Sequence, residues 1–159
     1  MNTPINSLST SSNGAPHADT ATINDMIEVL NDGIAFYQEA SQEVARPDLK
    51  ALFTRMVTTK KQIAVDLAAA IQSLGDKPAT SGTFAGSLRK LYAEMRTKMT
   101  SDKNHEYVAQ LEEFEDRILH TFEAAAADTD DATVRRIAAS YMSAVKKDHD
   151  LMRDLKKAS

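Results

Sequence analysis

The sequence predicts an all-α protein, an up-down four-helix bundle with a long, partly helical crossover between its second and third long helices. Three observations carry this. Gly and Pro number only five and four in 159 residues and Trp is absent, while Ala, Leu, Lys and Glu abound, a composition that favours helix. Apolar residues recur at helical spacing over four long segments. Short breaks pair those segments into two hairpins, and the long connection over 75–104 joins the hairpins.

Residues 1–21 are Ser, Thr, Asn, Asp and Ala with two Pro. They bury too little apolar surface to offset their ordering entropy, so the expectation is a disordered tail, with a docking peptide as the alternative. The bundle is expected over 22–159. Its first helix spans about 23–45, where Ile23, Met26, Ile27, Leu30, Ile34, Tyr37, Ser41 and Val44 share a face. Glu28, Glu39 and Glu43 point away from that face, and Gly33 lies on it. Pro47 suits the first position of a second helix over about 47–74, which Gly75 ends. Leu49, Leu52, Phe53, Met56, Ile63, Leu67, Ile71 and Leu74 form its stripe, interrupted by Lys60.

A shorter crossover helix is expected over about 84–99, with Phe84, Leu88, Leu91, Tyr92 and Met95 apolar. Its Arg89, Lys90, Arg96 and Lys98 read as a solvated face rather than a phosphate site, given Glu94 and the acidic total. The last two helices cover about 105–127 and 132–157, separated by a turn and cap at Asp128, Thr129, Asp130 and Asp131. Val134, Ile137, Ala138, Tyr141, Val145 and Met152 face inward, with His149 on the same side and Lys146 at its border. A helix of roughly 25 residues is about 37 Å long, so the crossover must travel back along it, which is the ferritin-like arrangement.

Composition excludes several functions. The chain has no Cys, which removes disulfides, thiolate catalysis and thiolate metal sites. A net charge of −4 gives no overall pull toward nucleic acid or anionic membrane. No apolar run approaches the roughly 20 residues that span a bilayer, and no secretory leader is evident, so the expected location is cytoplasmic. There is no nucleophile–base motif, phosphate loop or nucleotide fingerprint. His17, His105 and His120 have no convincing partners. Asp128, Asp130 and Asp131 lack the spaced ligands and terminal Glu of a calcium loop.

One residue breaks the pattern. On the third long helix Val108, Leu111, Ile118 and Phe122 form a stripe at about 100° per residue. Glu112, Glu113 and Asp116 fall off it, and with Glu123 read as a solvated face, with a surface metal site there as the alternative. Glu115 falls inside it. A carboxylate there costs several kcal/mol, on the order of a buried ion's desolvation, unless it is paired.

The runs Ala35-Phe36-Tyr37-Gln38-Glu39-Ala40 and Pro47-Asp48-Leu49-Lys50-Ala51-Leu52-Phe53 resemble the first hairpin of rubrerythrin-like ferritin relatives. Leu74-Gly75, Ser81-Gly82-Thr83-Phe84-Ala85-Gly86-Ser87-Leu88 and Lys147-Asp148-His149-Asp150 are similar to an uncharacterised proteobacterial four-helix family, a domain of unknown function in the ferritin-like group. The resemblance covers about 23–157. Di-iron members of that group take a Glu from each of two helices and a Glu-x-x-His from each of the other two. Carried over, those ligand positions fall on Leu30, on Lys60 and Ile63, on Glu115, and on Lys146 and His149. Glu115 lies about two turns, roughly seven residues, before Phe122. Only Glu115 and His149 remain of the ligand set, and two ligands have become lysines.

The expectation is therefore a buried charge cluster of Lys60, Glu115, Lys146 and His149, with Glu115 bonded to Lys60, Lys146 or both and no metal. The fallbacks are a metal held by Glu115 and His149, or a Glu115 rotated to a wet edge. The functional reading is a non-enzymatic binding or assembly protein with no catalytic residue and no cofactor. The resemblance implies a bacterial stress role and homo-oligomerisation, here a dimer supported by Val29 and Phe36 on the outer side of helix one. The alternative is a divergent iron or manganese oxidase or storage protein; a nucleic-acid or membrane-surface adaptor through the crossover helix comes third.

Overall fold

Pro47, Gly75, Asp102 and Asp131 mark helix ends in the computed structural model, which describes residues 18–159. Arg46 is extended (ψ 122°), as a residue before proline must be, and Pro47 opens a helix where its missing N–H leaves nothing unsatisfied. Gly75 ends that helix at φ 82°, a left-handed conformation that favours glycine. Asp102 accepts from the His105 N–H at 2.9 Å, and Asp131 from Thr133 and Val134 at 2.6 and 3.1 Å. Each satisfies amides that a helix start leaves without partners.

The described residues form five helices and no strand: α1 Ala18–Glu43, α2 Pro47–Ser73, α3 Ala85–Thr97, α4 Lys103–Ala127 and α5 Ala132–Ala158. α1 packs along α2 and α4, and α4 along α5. Among the described residues no helix is long and apolar enough to cross a membrane. α1 starts at Ala18, ahead of the expected 22 or 23, so 18–21 belong to the helix. Thr20 explains part of this: it is buried and donates to Asp76 at 2.9 Å, which anchors the first turn. The rest of the expected tail, with His17, lies outside the described residues. Leu74 is not core; it is the C-cap residue of α2 and half exposed.

The core falls into two apolar clusters. One holds Leu30, Ile63, Ile118 and Val145, and the other Phe36, Met56, Phe114 and Met152. On every long helix the break between clusters falls at the same level, near Gly33, Lys60, Glu115 and Asp148. A polar layer therefore crosses the molecule between two hydrocarbon halves.

The crossover is the main departure from the sequence reading. The polar side of α1 is a rail to which residues 76–84 are fastened. Asn24 accepts from Ala79 N–H at 2.7 Å and donates to the Lys77 carbonyl at 3.3 Å. Asn31 donates to the Ser81 carbonyl at 3.2 Å, and Asp32 accepts from Phe84 N–H at 3.2 Å. α3 then lies on α1 and buries Leu88 and Met95. Two expectations are corrected as a result. Phe36 is fully buried, 5.0 Å from the Phe114 ring and 5.7 Å from the Tyr92 ring, and is not free for self-association. Glu39 does not face solvent either; it is buried, with the half-exposed Arg96 pairing to it at 2.6 Å.

The rail requires Gly82. A Cβ there would lie 1.9 Å from Asp32 Oδ1 and 3.0 Å from the Asp32 backbone nitrogen. Gly82→Ala is expected to destabilise the fold by about 1–3 kcal/mol, the usual range for overpacking. A fall in the urea midpoint at unchanged slope would show it, and an unchanged midpoint would mean the loop rearranges freely.

Candidate functional site

Helical spacing places Lys60 on the stripe of α2 between Met56 and Ile63, and Glu115 on the stripe of α4 between Leu111 and Ile118. Packing those stripes brings Lys60 Nζ 2.6 Å from Glu115 Oε1, with the two side chains 2% and 0% exposed. Tyr37 of α1 donates its hydroxyl to the same Oε1 at 2.6 Å. Asp148 of α5 accepts from Lys60 Nζ at 3.0 Å. Each long helix thus supplies one member of the polar layer. Glu115 Oε2 is buried with no hydrogen-bond partner among the described residues.

The surroundings explain how the charges are tolerated. The ammonium meets two carboxylates and lies 5.2 Å from the centroid of the Tyr37 ring, whose face attracts cations. Burial above all, then the charge of Glu115 and the hydrogen bond to it, push the Tyr37 hydroxyl well above its ordinary pKa of 10.0. Tyr37 therefore remains a donor. Gly33 makes room on α1: a Cβ would stand 3.0 Å from Ile118 Cδ1 and 3.8 Å from Lys60 Cε.

Two members of the expected cluster lie elsewhere. Lys146 is 62% exposed and pairs with Asp150 at 3.0 Å, because it sits off the stripe of Val145, Asp148 and Met152. His149 borders the layer without reaching Glu115. Its Nε2 is 2.6 Å from Asp116 Oδ1, and its Nδ1 3.1 Å from Asp150 Oδ1. Burial opposes charge on His149, but the hydrogen bonds to Asp150 and Asp116 outweigh it and raise its pKa above the ordinary 6.5. Leu30 and Ile63 are core hydrocarbon.

The sequence reading passed over Asp148, although its spacing from Val145 and Met152 puts it on their stripe. Glu113 and Glu123 are exposed, as are Asp128 and Asp130, while Asp131 is a helix cap. His105 contacts Ser159 near the C-terminus at 2.5 Å. His120 lines a surface cleft of about 640 Å³ with Asp25 and Glu28, and no member of the buried layer takes part in it.

A family model described as a domain of unknown function, DUF2383, matches residues 19–128, and the chain belongs to that family. Comparison with curated proteins finds no match.

Lys60→Met should destabilise by about 3–5 kcal/mol, the cost of leaving a buried charge without its partner. Adding Glu115→Leu and Tyr37→Phe should recover most of that loss; unfolding curves that show no recovery would mean the layer is not coupled. His149 gives a pH dependence. Its raised pKa adds stability that is fully present below pH 6.5 and is lost as pH rises through the folded-state value. His149→Gln in chelator should flatten the stability profile across that window.

Proposed function

We propose that this DUF2383 member is a ferritin-like up-down four-helix bundle over 18–159 that works by association, chiefly with itself, and is not an enzyme. The observation that carries the reading is Lys60 Nζ, 2.6 Å from Glu115 Oε1. A di-iron centre gathers carboxylates and imidazoles around two cations. Here the corresponding positions offer a cation at Lys60 and hydrocarbon at Leu30 and Ile63, and the remaining carboxylate is already bonded to an ammonium and a phenol. These residues do not fit a di-iron site. The lysine fills the electrostatic role that metal has in the relatives the sequence resembles.

With Phe36 buried, self-association falls to the outer side of α2, where Val65 is 61% exposed. Light scattering over a wide concentration range should give a dimer, weakened by Val65→Asp; a monomer throughout would remove the assembly role. Protein from cells grown with iron and manganese should carry neither metal at Glu115. Stoichiometric iron or manganese that disappears with Glu115→Ala would favour the oxidase or storage alternative instead.

A further inference from the structure

We propose that Glu112, Asp116 and His149 form a binding site for a single divalent transition-metal ion at the seam of α4 and α5. This goes beyond the associative role and lies outside the buried ion pair. Acids one turn apart are ordinary on a solvated helix face. What distinguishes Glu112 and Asp116 is the imidazole that α5 brings against them, from 33 residues beyond Asp116. One ligand atom from each of the three side chains lies within 4.8 Å of the other two. Ligands about 2.0–2.2 Å from one ion lie roughly 3–4 Å apart, so small side-chain movements would close the site.

The neighbours suit the role. His149 directs Nε2 toward Asp116 while Asp150 holds Nδ1 at 3.1 Å, the carboxylate–imidazole arrangement that orients a metal-binding histidine. Asp150 is itself held by Lys146 at 3.0 Å and Arg153 at 3.2 Å. Glu112 and His149 are each 13% exposed and Asp116 44%, so an ion would be held on an inner side and reached from an outer one. Lys156 sits 3.0 Å from Glu112 Oε2. It competes for that oxygen and opposes a second positive charge.

The donor set selects the ion. An imidazole with two carboxylates suits zinc, manganese or ferrous iron better than calcium or magnesium, which take all-oxygen shells. Three protein ligands leave a position for water or an external ligand.

Full-length protein stripped with chelator should bind one equivalent of Zn²⁺ by calorimetry, and Co²⁺ should give visible d–d absorption. His149→Gln and Asp116→Asn should each weaken Zn²⁺ binding at least about tenfold, the scale on which support of a metal site is lost. Lys156→Met should tighten it, a gain that misfolding cannot imitate. Glu115→Gln, checked as folded by circular dichroism, should leave the equivalent in place. No Zn²⁺ heat and no Co²⁺ spectrum, or binding indifferent to His149→Gln, would overturn the site. Binding lost with Glu115→Gln and kept with His149→Gln would overturn it too, and would count against the metal-free centre as well.

Discussion

An ammonium and a carboxylate enclosed by four helices impose a constraint on everything around them. Neither Lys60 nor Glu115 can turn to water, and the desolvation of each is offset only while the other stays within bonding distance. α2 and α4 must therefore keep one axial register, and Tyr37 and Asp148 extend the requirement to α1 and α5. An apolar core tolerates sliding because one methyl contact replaces another. A polar layer between two apolar clusters does not, since a one-turn shift would leave a charge in hydrocarbon. That sensitivity gives the layer a structural purpose, as the device that holds the helices in a single register.

The crossover depends on the same alignment through α1. Its inner face carries Tyr37 and Gly33 to the layer. Its polar side binds residues 76–84, and α3 covers Phe36 and Glu39. Little of α1 is left to solvent. The outer side of α2 carries the exposed Val65, and the charged seam of α4 and α5 offers a different chemistry, two carboxylates against an imidazole.

Much of the site was legible because burial of an isolated charge is costly wherever it occurs. Lys60 and Glu115 stood out as charges on apolar stripes, and the structure brings them together. Asp148 carries the same signal, a carboxylate at helical spacing between Val145 and Met152. Lys146 illustrates the limit of that reasoning. It borders the inner stripe, and its long flexible stem carries the ammonium out to water beside Asp150. The pairing of His149 with Asp116 was not legible, since each lies at the edge of its own helix's apolar face.

The sequence by itself determined the helical class, the approximate extent of the helices, and which face of each carries charge into the core. Those properties follow from periodicity and capping within one segment. Only the tertiary structure decided which charges meet, that α3 and the loop before it cover the outer side of α1, and that three edge residues converge at the α4–α5 seam. Helical periodicity fixes the direction of a side chain relative to its own axis. Contact between helices depends also on their relative rotation and axial offset, which only the packing of the whole chain sets.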